Sequence, residues 1–290
     1  MLLAGSVCFV TAFILGYGSW YLFGSRRRDA SAERPVVVQT TATPKPTEER
    51  PSPTPPRKLA PAGELPVPGG EVALGGEGTD QPLHREFVAP FAIAETEATN
   101  EQYRDFIAAT KHKPPDGWNG AEFQPGTGAE PVTGVNWQDA MDYCKWLSEE
   151  LGTTVRLPTE AEWERAARGQ ENLKYPWGQE WNPRAAITKE TRGSIRPVKS
   201  FAENKSPYGA YDMAGNVWEW TADEARDDEG NPKMKDGIRL RIIKGGSFDE
   251  PQAFINATSR YEMPANHVSR KLGFRYVVLR DSETKAAQGH

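Results

Sequence analysis

Gly209-Ala210-Tyr211-Asp212-Met213-Ala214-Gly215-Asn216-Val217-Trp218-Glu219-Trp220-Thr221 sets four large apolar side chains around two polar ones, Asn216 and Glu219. Side chains the size of Tyr211, Met213, Trp218 and Trp220 are buried in a folded chain, and polar groups caught among them need partners. Two structures meet that need. One is a stapled core turn in which Asn216 closes the turn and Glu219 pairs with an arginine such as Arg275. The other is a small oxygen-ligand site.

Composition around this stretch points the same way. The 290 residues contain 27 glycines, 24 prolines and 9 tryptophans, a mixture that favours loops tied by aromatic clusters over a helix bundle or a regular sandwich. The length allows one large domain or two small ones. A net charge of -5 and a pI near 5.6 argue against a nucleic-acid surface. Two cysteines, Cys8 and Cys144, build neither a disulfide framework nor a cysteine-rich metal site. His84, His112, His267 and His290 lack metal-ligand spacing.

Before the domain the texture differs. Leu2 to Phe23 is uncharged, mostly apolar and long enough to span a bilayer, with Arg26, Arg27 and Arg28 directly after it. No basic residue precedes it, so it reads as an uncleaved single-pass anchor over residues 1–28 and not as a signal peptide. The arginines would hold the body of the protein in the cytoplasm. The resemblance described below and the long tether favour the opposite face, and the side stays open. Residues 29–68 are rich in Pro, Thr, Glu and Arg, have little to bury, and read as an extended linker.

From residue 69 to 281 the pattern is that of one α+β domain, with a polar tail over 282–290. Gly69 to Gly76 and Phe87 to Ile93 read as short strands. Thr99 and Gln102 form a capping box for a helix with Tyr103, Phe106 and Ile107 as its apolar stripe. Asn136 starts a second helix whose buried face carries Trp137, Ala140, Met141, Cys144, Leu147 and Leu151, and Gly152 stops it. Cys144 is therefore a core residue. Thr159 and Glu162 cap a third helix that ends at Gly169. An acidic loop follows from Asp223 to Gly237, then a strand from Arg239 to Lys244, and Leu272 to Leu279 closes the domain as another.

RLPTEAEWERAARG, YPWG, SPYGAYDMAGNVWEWTAD, IIKGGSF and LGFRY occur in this order, preceded by VPGGEVALGG and ETEATNEQYRDFI. Together they resemble the sulfatase-modifying-factor family, also called the formylglycine-generating enzyme domain, over roughly residues 67 to 280. The resemblance implies a C-type-lectin-like fold with little regular secondary structure. It also implies oxidation of a sulfatase cysteine by molecular oxygen at a copper ion held by two cysteines shortly after the GGS motif. Soft thiolates are what Cu(I) prefers. The two matching positions here are Glu250 and Ile255, so no copper is expected. Ser247 matches the family's active-site serine, without a GxSxG elbow around it. The iron-dependent sulfoxide-synthase branch joins this domain to a helical bundle, and here a membrane span and a proline linker take that place.

The resemblance further implies calcium at Asn216, the Val217 carbonyl and Glu219, oxygen donors of the kind calcium takes. A second calcium position would fall near Ala186, which offers no side-chain oxygen. Ser247, Asp249, Glu250, Arg260 and Arg275 are candidates to line an anionic-ligand cleft, against the reading that they form a solvated charged face. Two functions compete: a membrane-tethered non-catalytic module holding a peptide or glycan, and an oxidoreductase of the formylglycine-generating type working through a different site.

Overall fold

The computed structural model describes residues 63–75 and 82–279. The expected span within residues 1–28, most of the linker and the tail lie outside the described residues. No helix among the described residues is long and apolar enough to cross a membrane. The elements in chain order are β1 (Glu64–Val67), β2 (Gly70–Leu74), β3 (His84–Val88), β4 (Phe91–Ala94), α1 (Asn100–Thr110), α2 (Trp137–Leu151), β5 (Thr154–Arg156), α3 (Glu160–Arg168), β6 (Trp218–Glu224), β7 (Met234–Lys235), β8 (Ile238–Lys244), β9 (Arg260–Pro264), β10 (Leu272–Phe274) and β11 (Val277–Leu279). About fifty residues between α3 and β6 contain no strand and only a single 3-10 turn, Lys189–Thr191.

Three sheets share the work. One runs β1-β4-β11-β5, the second runs β10-β6-β8-β7 with β9 also on β8, and β2 pairs only with β3. The helices start where the sequence places them. Thr99, Asn136 and Thr159 each accept from the backbone of the third helical residue, and Gln102, Asp139 and Glu162 reach back to complete capping boxes. Gly152 ends α2 in a left-handed conformation that glycine adopts without strain. On α2 the expected Ala140, Cys144 and Leu147 are buried, and Tyr143 and Trp146 join them. Burial raises the Cys144 thiol pKa far above its usual range, which suits a core residue.

Four segments differ from the sequence reading. The linker ends sooner than residue 68, because Glu64–Val67 pair antiparallel with β4 and Val67 is buried. Pro66 has no N–H to donate and is tolerated because β1 is an edge strand. Phe87 to Ile93 is two strands in different sheets, broken at Ala89-Pro90. Leu272 to Leu279 is also two strands: β10 runs parallel to β6, and β11 joins β4 and β5. Arg275 lies between them and turns into the core. The segment read as an acidic loop holds the end of β6 and the short β7.

Candidate functional site

Two sequence-distant segments meet at the centre of the domain. Gly215 donates to the Gly245 carbonyl and Phe248 to the Asn216 carbonyl, so the stretch 209–221 and the loop after β8 lie side by side. Asp212 and Asn216 sit at φ 60° and 56°. This left-handed region suits Asn and Asp better than other residues with a side chain. The bend turns their side chains toward the interior.

Glu219 is fully committed. Its Oε2 accepts from Arg275 Nε at 2.7 Å and from Trp163 Nε1 at 2.8 Å, and its Oε1 accepts from Arg275 Nη2 at 2.7 Å. Arg275 also donates to the carbonyls of Tyr211 and Ala94. Both residues have zero solvent exposure. The pair is a bidentate clamp joining β6 to the β10–β11 crossing, and such a fork is the strongest form of a charge-assisted hydrogen bond. The expected set Asn216, Val217 and Glu219 thus loses its carboxylate to Arg275. Asn216 is also engaged: Oδ1 accepts from the Arg196 backbone at 3.1 Å, and Nδ2 donates to Glu97 and to the Arg196 carbonyl.

A different acceptor set lies beside the clamp. Glu97 is fully buried, and its Oε2 has no hydrogen bond; the nearest guanidinium nitrogen, Arg275 Nη2, stands 3.9 Å away. Burial first, then the Asp212 charge, raises the Glu97 carboxyl well above the usual range. Burial also pushes Asp212 up to about 6, against the opposing Lys199 backbone N–H that its Oδ2 accepts at 2.8 Å. Asn204, which accepts from the Asp212 backbone N–H through its carbonyl, leaves its buried Oδ1 without a donor. Three carboxylates, Glu97, Asp212 and Glu219, therefore face the single guanidinium of Arg275. No cluster of three or more His, Cys, Asp or Glu suited to a metal occurs among the described residues. A cation here would rest on two carboxylates with amide and carbonyl oxygens, a donor mixture that calcium accepts.

The loop after Gly245-Gly246 is the opposite. A Cβ on Gly246 would meet the Phe254 carbonyl oxygen at 2.4 Å, so glycine is what lets the loop fold onto the 3-10 turn Gln252–Phe254. Ser247 is fully buried, and its Oγ finds no partner. Ile255 is fully buried against Ala186 and Ala214, with Trp177 and Trp181 alongside. Glu250 accepts from Trp218 Nε1 at 3.2 Å, and Asp249 pairs with Lys271 at 2.9 Å. Neither copper position offers a soft donor, and Ile255 fills its position with apolar atoms. The residues do not fit copper.

The expected anionic-ligand cleft does not assemble. Arg260 is spent on Glu160 at 3.2 Å and Glu262 at 2.9 Å, and Arg275 is in the core, leaving Asp249 and Glu250 at the surface with Lys271. The sequence reading missed Lys244, a fully buried lysine that donates to Glu164 at 2.7 Å, Glu160 at 3.2 Å and the Thr258 carbonyl at 3.2 Å. Glu160 and Glu164 are four residues apart on α3, a spacing that sets them on one helix face and could have signalled a shared cation. Three surface cavities, of about 360, 330 and 530 Å³, are lined by none of Ser247, Glu250 and Ile255.

The mixed fold of three small sheets is of the class of formylglycine-generating-enzyme-like domains. The chain belongs to the family described as the sulfatase-modifying factor enzyme 1-like domain, whose sequence model matches residues 49–280. It is 30% identical over 281 residues to the formylglycine-generating enzyme of Thermomonospora curvata, covering 72% of this chain and 89% of that one. It is also 30% identical over 276 residues to the inactive C-alpha-formylglycine-generating enzyme 2 of Bos taurus, covering 72% and 85%. Among solved structures, PvdO from Pseudomonas aeruginosa superposes with a TM-score of 0.62 at 26% identity, over 75% of this chain and 94% of that one.

Proposed function

We propose that this protein is a non-catalytic member of the family, a binding or accessory module that keeps the scaffold and has given up the copper chemistry. The observation carrying the reading is Ile255, fully buried in an apolar cluster at one of the two positions the resemblance assigns to thiolates. Glu250 at the other position is turned to Trp218. Support also comes from the family's inactive relative in Bos taurus, as similar to this chain as the enzyme of Thermomonospora curvata. The test is oxygen-dependent turnover: full-length protein, supplied with Cu(I), is incubated with a cysteine-containing sulfatase peptide and the product read by mass spectrometry. Unchanged peptide is the expected result. Formylglycine above the metal-free control overturns the proposal in favour of an oxidoreductase with another site.

The reading includes a structural cation and a tether. Calcium is assigned to Glu97 and Asp212 beside Asn216, in place of Glu219, because Glu97 Oε2 is a buried acceptor in need of positive charge. The uncharged run Leu2–Phe23 is assigned to a bilayer, with the Pro-rich run as spacer and the ligand a peptide or glycan. Retention of the protein in the membrane pellet after alkaline carbonate washing checks the tether, and release into the supernatant contradicts it.

A further inference from the structure

The loop 187–201 carries a feature that neither the copper nor the calcium reading uses. Among the arginines of the described residues, nearly every guanidinium meets a carboxylate, a carbonyl or an aromatic ring; Arg85, Arg184 and Arg226 do so even on the exposed surface. The guanidinium groups of Arg192, Arg196 and Arg270 alone make neither a hydrogen bond nor a close ion pair, and of these Arg196 feels the Glu130 carboxylate at longer range. Two of the three, Arg192 and Arg196, line one cavity of about 530 Å³, whose walls include Ile187, Pro197, Ser200 and Phe201. In a chain of net charge -5, two guanidinium groups without a hydrogen-bonded carboxylate at one hollow, with Glu130 only at longer range from Arg196, are a local reversal of sign.

The backbone beneath them is fixed. Asn216 bonds both the N–H and the carbonyl of Arg196, Asp212 accepts from Lys199, and Val198 donates to the Ala129 carbonyl. At the other end Lys189 donates to the Glu250 carbonyl, and Thr191 closes the 3-10 turn through its hydroxyl. A Cβ on Gly193 would lie 1.8 Å from Ile187 Cγ2, so only glycine lets the loop lie against that apolar wall. The stretch 209–221 thus anchors the loop, and the guanidinium groups of Arg192 and Arg196 line the hollow without a hydrogen-bond partner. Preorganised donors lower the ordering cost of binding, and guanidinium forks match planar or tetrahedral oxyanions.

We propose that this hollow binds an organic oxyanion, its phosphate, sulfate or carboxylate head between Arg192 and Arg196 and a short apolar body against Ile187, Pro197 and Phe201. This names a ligand class for the binding-module reading, and the two are tested separately: peptide turnover decides the one, anion binding the other. Calorimetric titration of the full-length protein with phenyl phosphate is the test, with inorganic phosphate, benzoate and phenol as companion probes. Phenyl phosphate is expected to bind, phenol to give no heat, and inorganic phosphate to bind at least threefold more weakly. Raising salt from 50 to 300 mM weakens phenyl phosphate binding severalfold. R192Q/R196Q, at exposed positions and checked for folding by circular dichroism, lowers the affinity at least tenfold, whereas R184Q leaves it unchanged. Benzoate separates head groups: binding within threefold of phenyl phosphate assigns carboxylates too, and weaker binding restricts the site to tetrahedral heads. No heat with phenyl phosphate, or equal binding in R192Q/R196Q, overturns the proposal; phosphate binding as tightly as phenyl phosphate overturns its apolar half.

Discussion

The stretch 209–221 and the loop 245–255 touch through two backbone hydrogen bonds, yet their contents are opposite. Around the first, Glu97, Asp212 and Glu219 face one arginine, and Glu97 Oε2 has no donor. Around the second, Ile255 packs in an apolar cluster with Ala186, Ala214, Trp177 and Trp181. The network at Lys244 supplies the control. There Glu160, Glu164 and Glu262 meet Lys244, Arg168 and Arg260, so that buried charge is balanced within the protein. An excess of buried carboxylates is therefore not a general habit of this fold. Around Arg275 the buried carboxylates outnumber the guanidinium, whereas around Lys244 cations and carboxylates match, and Ile255 in the neighbouring loop packs among apolar side chains.

The largest expected effect breaks the charged side of this contrast. Arg275→Met removes the only guanidinium from three buried carboxylates, and about 3–5 kcal/mol of stability should go with it. Urea unfolding followed by tryptophan fluorescence reads the loss, and Arg275→Lys, which keeps the charge without the fork, should fall between. On the apolar side, Ile255→Ala is expected to cost about 2–4 kcal/mol through the cavity it leaves. A loss under about 1 kcal/mol would mean that the loop is not packed as core.

The third prediction concerns pH. Glu97 and Asp212 have folded-state pKa values raised above their unfolded ones, Asp212 to about 6. The native state then holds more protons than the unfolded chain, so stability falls as pH rises from about 4 through 6 and beyond. The decline should be on the order of 2 kcal/mol in chelator. Calcium should flatten it, and Glu97→Gln should both flatten it and remove the calcium response. The smallest effect lies at the surface: Asp249→Ala breaks the Lys271 pair and should change stability by about 0.5 kcal/mol or less.

Much of this was legible in the chain. The capping boxes at Thr99 and Thr159 and the N-cap at Asn136 are local patterns, and local chemistry suffices to place them, whereas the reach of Asp139 back to Asn136 was not read. Arg275 as partner of Glu219 stood among the readings of the aromatic turn, because a buried glutamate asks for a cation. What stayed hidden depends on long-range pairing. Glu97 meets Asn216 across 119 residues, and Lys244 meets Glu160 across 84. No periodicity brings such pairs together. The β10–β11 break was hidden for a related reason: eight residues of strand-like composition serve two sheets, and Arg275 between them is visible as a hinge only once its partner is known. The five-residue cleft proposed from charge proximity in sequence failed because neighbours in the chain, Asp249 and Arg260, answer to different elements.

Metal content of the full-length protein, measured by plasma mass spectrometry after equilibration with Cu(I) and Ca2+ together and removal of loosely held ions, tests the contrast most directly. One equivalent of calcium, lost in Glu97→Gln, with copper at background, is the predicted result. One equivalent of copper with calcium at background would contradict it.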